Sequence, residues 1–278
     1  MELVVFDLEW NGAYSERLGS NINEIIEFGA VRLNEKLEVT ETFQTLVRPV
    51  ICKRINSPVR TLTSLTYREL KSGVPFSYAF SKFRSFCRGA VLLSWSTSDL
   101  DSLAENIAYH NGNYSLSRFL TSYCDVQKYC HDMLGLPDKN ALGLSVAADI
   151  LELDTEQFSN HRALDDSFIA AMCLKRLYHR GAFESYIRNV DKEFLDELFF
   201  RSYYLNTEKL NIELLESITF NCPECAARAE RISDPKPKGI HCFAEYRCPE
   251  CKTGFTGRAR FKKRLIDVHI SKKGAVAK

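Results

Sequence analysis

The 278 residues predict an α/β domain, a mixed sheet flanked by helices, followed by a helical connector and a small cysteine-bearing module. Three observations carry this reading. Apolar, β-branched runs open the chain and then give way to alternating helical and strand-like segments, the pattern of a sheet with helices packed on it. Half of the ten cysteines lie after residue 221, four of them in two identical Cys-Pro-Glu-Cys tetrads. Charge divides at the same place: residues 222–278 hold 14 Lys+Arg against 6 Asp+Glu, a net +8, which leaves 23 against 30, a net −7, for residues 1–221. The expected boundaries are 1–180 for the domain, 181–220 for the connector and 221–278 for the module with its basic tail.

The elements follow in order. LVVFDL at 3–8, IIEFGAVRL at 25–33 and VTETFQTLV at 39–47 read as strands, the last two joined through the turn residues Asn34-Glu35-Lys36, which makes an antiparallel meander. A polar loop follows Pro49, then a helix over Tyr78–Cys87 and a strand in AVLLSW at 90–95. Asp99 to Asn111 carries Leu100, Leu103, Ile107 and Ala108 at helical spacing, with Ser98 as its expected N-cap. Tyr123–Tyr129 fits a short strand, and Leu142–Leu151 and Ala163–Leu177 fit helices, the second stopping before His179-Arg180-Gly181. Residues 182–217 lack Pro and Gly and read as helical.

With 45% hydrophobic and 26% charged residues the composition is that of an ordinary soluble protein. No apolar run reaches the ~18–20 residues of a membrane helix, and the start MELVVFDLEW lacks the basic and small-residue parts of a secretory signal. A cytoplasmic location with reduced cysteines is expected. The acidic body argues against nucleic acid bound over its whole surface, whereas a basic appendage suits a phosphate backbone.

Three places carry chemistry. Asp7 and Glu9 lie two apart in a strand and therefore project from one face. At ~4 Å and an effective dielectric of ~20, two such charges repel by about 4 kcal/mol, so a cation or proton must compensate them. Asp99 stands where AVLLSW meets the next helix; Asp101 is the alternative, but it falls about 200° around that helix and cannot face the same point. In HRALDD, His161 precedes a helix and Asp166 lies on it, with Asp165 better explained as a first-turn acid stabilising the helix dipole.

Taken together, FDLE, SDLDSL and HRALDD resemble the DEDD exonuclease superfamily, in its histidine branch, whose pattern is DxE, then Asp, then HxAxxD. The resemblance spans about residues 3–180 and implies an RNase H-like fold and 3′→5′ hydrolysis of single-stranded nucleic acid to nucleoside 5′-monophosphates. It places the ligands of two Mg²⁺ or Mn²⁺ ions on Asp7, Glu9, Asp99 and Asp166, with Asp7 bridging, and the general base on His161. An all-oxygen ligand set suits those hard cations better than zinc. Trp95, four residues before Asp99, and TLTSLT at 61–66 resemble the group of histone-mRNA 3′ exonucleases and sporulation-inhibitor relatives, although Ser64 stands where that group has glycine. By the same resemblance Leu65 is the apolar wedge against the terminal base; Trp10, next to the DxE pair, is a candidate contact to the terminal sugar or base. RNA is favoured over DNA on resemblance alone.

Cys222, Cys225, Cys248 and Cys251 have the spacing of a four-cysteine zinc site. A module this small needs such a site, because it buries too little apolar surface to fold unaided. One structural Zn²⁺ in a zinc ribbon is therefore expected. Its arginines and lysines, interleaved with Phe243, Tyr246, Phe255 and Phe261, suit a single strand. The rival readings are a ribbon that docks a protein partner, making the nuclease a proofreading subunit, and a nucleic-acid-binding scaffold with weak catalysis.

Overall fold

In the computed structural model, residues 1–112, 116–137, 141–159, 161–265 and 267–276 are described. They form two units, residues 1–198 and 199–278. The first is built on a six-stranded sheet. Its hairpin comprises β1 (Leu3–Ser15) and β2 (Ser20–Leu33), followed by β3 (Val39–Leu46). Three helices come next, α1 (Ser57–Thr63), α2 (Tyr67–Ser72) and α3 (Phe76–Phe86). Strand and helix then alternate through β4 (Val91–Ser94), α4 (Ser98–Asn111), β5 (Ser122–Asp125), α5 (Val126–Met133), α6 (Leu144–Ile150) and α7 (Ala163–Leu177). The unit closes with α8 (Arg180–Glu184), β6 (Arg188–Asn189) and α9 (Lys192–Phe199). Spatial order is β3-β2-β1-β4-β5-β6, antiparallel across the hairpins and at β6, parallel across β1-β4-β5.

Alternation along β1 sorts its side chains between two cores. Val4, Phe6 and Leu8 face α3 and α4, packing with Phe80, Phe83, Leu100 and Leu103, while Leu3 and Val5 face α5 and α7, packing with Tyr129, Ile169 and Leu174. Asp7 and Glu9 continue the second row and so emerge on the α7 side of the sheet. The contact between sheet and α7 is unusually close. A Cβ on Gly29 would stand 2.0 Å from the Ala163 carbonyl carbon and 2.1 Å from the Leu164 nitrogen, so the first turn of α7 rests directly on the β2 backbone. Gly29 pairs with Asp7 across the hairpin, and that close approach brings α7 to the acidic end of β1.

Several local expectations shift. The hairpin extends well past 3–8 and 25–33, with a bulge between Glu9 and Trp10. Ser98 is the first residue of α4; Thr97 holds the cap position without a side-chain bond. The strand expected over Tyr123–Tyr129 ends at Asp125, whose carboxylate accepts from the Lys128 amide (3.0 Å) and starts α5. Gly181 does not stop α7: the helix ends at an extended Tyr178, and a new turn begins at His179, whose Nδ1 accepts from Ala182 N–H (3.3 Å).

The connector expected over 181–220 is divided between the units. Up to Leu198 it belongs to the first, where β6 completes the sheet and Phe194 and Leu198 enter its core. From Phe199 it belongs to the second, because Leu215, Ile218 and Phe220 are needed to cover a small core. That unit comprises β7 (Tyr203–Tyr204), α10 (Ile212–Glu216), β8 (Glu230–Arg231), β9 (Lys236–Lys238), β10 (His241–Arg247), β11 (Gly254–Lys263) and β12 (Val268–Val276). Its antiparallel sheet runs β12-β11-β10-β8, with β7 on β11 and β9 on β10. Among the described residues no helix is long and apolar enough to cross a membrane.

Candidate active site and cysteine centre

The carboxylates expected to act together meet at the end of β1. Asp99, 3% exposed, reaches back from the first turn of α4, and its Oδ1 accepts from the Leu8 N–H (3.1 Å), the amide between Asp7 and Glu9. On α7, ligand atoms of Glu9, His161 and Asp166 lie within 4.8 Å of one another. The Asp166 carboxylate also accepts from the backbone N–H of His161, which holds the histidine at the helix entrance. His161 is exposed and sits in the left-handed region (φ 62°), a conformation costly for a non-glycine residue. Asp165 is occupied elsewhere, accepting from the Ser159 amide (3.0 Å).

The electrostatics show what the cluster lacks. Burial, then the charges of Asp99, Glu9 and Asp166, push the Asp7 carboxyl well above the ordinary carboxylate range. Burial, Asp166 and Glu27 push Glu9 up to about 8, and burial raises Asp99. Asp166 rises to about 6, burial outweighing the favourable charge and backbone bond of His161. Negative charge thus exceeds what the surrounding protein neutralises, and hard oxygen donors converge on one small volume. Divalent cations fit both conditions.

A fifth acid escaped the reading of the sequence. Glu27, wholly buried, lies opposite Glu9 across the hairpin, where two like charges oppose each other. Arg162 offsets it with a two-pronged bond, Nε to Oε2 (3.0 Å) and Nη2 to Oε1 (2.7 Å), and Gln44 Nε2 donates to Oε1 (2.8 Å). Because Arg162 lies between His161 and the first residue of α7, this fork fixes the helix entrance to the sheet. The available signal was a single acid in the otherwise apolar run IIEFGAV. A second buried acid, Glu24, accepts from the amides of Val50, Ile51 and Cys52 (2.6–2.8 Å) and pins that loop beside the hairpin.

Leu65 corrects an expectation. Its side chain is 3% exposed and packs with Ile26 and Leu70, so it is used up in the core and does not offer a wedge; the exposed leucine of this segment is Leu62, at 51%. Ser64, where the related group has glycine, adopts φ 57° as the C-cap of α1, the left-handed position that glycine occupies without a Cβ penalty. Trp10 is half-buried against the first core.

In the second unit the four cysteines of the two tetrads converge. Sγ atoms are 3.5 Å apart for Cys222–Cys251 and Cys225–Cys248 and 3.6 Å for Cys225–Cys251. A tetrahedral ion with ~2.3 Å bonds to sulfur needs edges of ~3.8 Å, so the set fits zinc. Each tetrad folds the same way. The carbonyls of Cys222 and Cys248 accept from Ala226 (2.9 Å) and Lys252 (3.1 Å), both left-handed at φ 60° and 61°.

Residues 4–174 match the family described as RNase_T, Exonuclease. The Probable 3′-5′ exonuclease KapD of Bacillus subtilis is 25% identical over 178 residues, 62% of this chain and 82% of its own length. A 3′-exonuclease solved in recognition of the 3′ end of a histone mRNA stem-loop shares the fold, with TM-score 0.56 and 21% identity over 69% of this chain and 91% of its own. E. coli Exonuclease I, solved with a dA16 oligonucleotide, shares it at TM-score 0.50 and 12% identity over 93% of this chain and 54% of its own. The matched segment begins on β1, which carries Asp7 and Glu9, and ends in α7, which carries Asp166, and by that match the chain belongs to the RNase_T exonuclease family of 3′→5′ hydrolases.

Proposed function

We propose that the chain is a 3′→5′ exonuclease that shortens single-stranded nucleic acid, RNA in preference to DNA, releasing nucleoside 5′-monophosphates. The observation that carries this reading is the meeting of Asp7, Glu9, Asp99 and Asp166 with His161 at the end of β1. KapD's description as a 3′-5′ exonuclease and the histone-mRNA 3′-exonuclease support the direction and the sugar preference respectively.

In this reading Asp7, Glu9, Asp99 and Asp166 would hold two Mg²⁺ or Mn²⁺ ions. Such ions supply Lewis-acid charge at the attacking and leaving oxygens and make water a better nucleophile at neutral pH. The chain's own residues do the rest. Asp99, fixed by the Leu8 amide, and Asp166, fixed by the His161 amide, hold their oxygens without needing to reorganise during reaction. His161, exposed at the rim beside Glu9 and Asp166, accepts the proton of the attacking water at its imidazole and returns it to solvent. Trp10 is the remaining candidate for contact with the terminal sugar or base. Cys222, Cys225, Cys248 and Cys251 would hold one structural Zn²⁺, which would stabilise the second unit.

Digestion of matched 5′-labelled single-stranded RNA and DNA with Mg²⁺ or Mn²⁺ tests the reading. A ladder receding from the 3′ end, faster on RNA and lost in Asp7→Ala, is expected. His161→Ala should lower kcat by ~10²–10⁴-fold with little change in substrate binding. Metal-independent shortening, or equal turnover by Asp7→Ala, would overturn it.

A further inference from the structure

The sheet of the second unit has one face built into the core and one face left open. On β11, Phe255, Gly257, Ala259 and Phe261 point inwards, so Thr256, Arg258, Arg260 and Lys262 point outwards. On β10, Cys242, Ala244 and Tyr246 are buried, which turns His241, Phe243, Glu245 and Arg247 to the open side. Three of the four aromatics that suggested stacking, Tyr246, Phe255 and Phe261, are therefore core residues, and Phe243 alone of that set is on the open face.

Strand register adds residues that the linear sequence does not bring together. Lys236 of β9 pairs with Phe243, Phe243 with Arg258, and Arg258 with Lys273 of β12, making one row across four strands. Lys238 pairs with His241 in the next row, and Tyr204 of β7 pairs with Lys262. Cross-strand partners share a face. The open face thus presents Lys236, Lys238, Arg258, Arg260, Lys262 and Lys273. Among the described residues none of the six forms an ion pair. Of its carboxylates, Glu230 lies opposite Arg247, and Glu245, two residues along β10 from Phe243, accepts from Thr256 Oγ1 (3.0 Å).

Aromatic rings stand within this field of charge. The Arg260 guanidinium lies 5.0 Å from the Tyr204 ring centroid, and the Phe243 and His241 rings are 5.9 Å apart. Phe243 also lines a hollow of ≈ 260 Å³ together with Thr256, Arg258, Lys273 and Ala275. Six cations without carboxylate partners, spread over adjacent strands and interrupted by rings and a shallow hollow, match a flexible polyanion whose bases have flat apolar faces. A duplex shows only its phosphates to such a surface, whereas a single strand can turn its bases onto Phe243 and Tyr204.

We propose that this open face is a platform for single-stranded nucleic acid, with Arg258, Arg260 and Lys273 holding phosphates and Phe243 stacking a base. The occupant rests on the exonuclease reading, but the two can fail separately. The test uses the full chain and 20-nucleotide oligouridylate and oligodeoxythymidylate, with binding followed by fluorescence anisotropy from 50 to 300 mM KCl without added Mg²⁺ or Mn²⁺. The triple variant R258S/R260S/K273S should bind at least 10-fold more weakly, and its slope of log affinity against log salt should shrink by about 2, at ~0.7 per phosphate contact on a single strand. Phe243→Ala should weaken binding by ~5-fold or more with the salt slope unchanged. Hydrolysis of the p-nitrophenyl ester of thymidine 5′-monophosphate, which carries a single nucleoside, should be the same in all three proteins. Oligonucleotide affinity within twofold of the parent in both variants overturns the platform, whereas binding that behaves as expected in a chain that hydrolyses nothing overturns the nuclease reading and leaves the platform standing.

Discussion

The two units gather their candidate cation ligands in opposite ways. In the first, Asp7, Glu9, Asp99 and Asp166 come from three segments far apart in sequence and are forced together by a sheet and two helices that fold for other reasons. Their mutual repulsion is a load on the fold, carried by its apolar cores. In the second, two identical local turns bring four thiols together over a small core, which a metal held by them would stabilise. Removing charge from the first cluster should therefore relieve its unit, while removing a ligand from the second should dismantle its unit.

The largest expected effect tests the second half of that contrast. Structural zinc supplies on the order of 10 kcal/mol in small modules, so Cys248→Ser, or chelation, should unfold residues 199–278 while residues 1–198 stay protected. Hydrogen exchange resolved by peptide would show it; equal protection of the second unit with and without metal would break the comparison.

Next comes the support beneath the first cluster. Gly29→Ala sets a Cβ against the backbone of Ala163 and Leu164, which cannot step aside as a flexible side chain would. A loss of about 4 kcal/mol or more in urea unfolding, accompanied by loss of activity, is expected. Arg162→Ala leaves Glu27 buried without its fork. The guanidinium is partly exposed, so a stability loss of about 2–3 kcal/mol is expected, below the ~3–5 of a fully buried pair. As Arg162 acts by holding the α7 entrance, kcat should fall by ~10–100-fold with KM little changed, and Glu27→Gln should reproduce the split.

The smallest effect is the most diagnostic. The raised pKa values of Glu9, about 8, and Asp166, about 6, mean that the folded, metal-free protein binds more protons than the unfolded chain between about pH 4.5 and 8. Stability of the metal-free protein should accordingly fall as pH rises through that window. Mg²⁺ or Mn²⁺ should raise the Tm more at pH 8 than at pH 5. Glu9→Gln should stabilise the metal-free protein at pH 8 by about 1–2 kcal/mol while abolishing turnover. A metal-free protein that grows more stable towards pH 8 would show that these acids carry no such load.

Much of the site was legible because its signals are local. Two carboxylates two apart on a strand share a face whatever surrounds them, as do Cys-Pro-Glu-Cys tetrads that close into turns by themselves. Helical angle let only one of Asp99 and Asp101 face a given point, and the place of Asp99 at the strand–helix junction favoured it; its Oδ1 accepts from the Leu8 N–H. Leu65, by contrast, lies in a short segment with no periodicity, so nothing local said whether its side chain would face solvent or Ile26 and Leu70.

By itself, then, the sequence determined the opening meander and the alternation of strand and helix after it, the alternation that aims Asp7 and Glu9 at one side and the pairing of the cysteine turns. Each follows from backbone geometry over a few residues. Only the tertiary structure decided that Glu27 and Arg162 clamp the helix entrance, that Gly29 is where α7 meets the sheet, that residues 181–220 are shared between two units, and that Lys236, Phe243, Arg258 and Lys273 form one row. Those are matters of strand register and close approach between distant segments, which no run of neighbouring residues encodes.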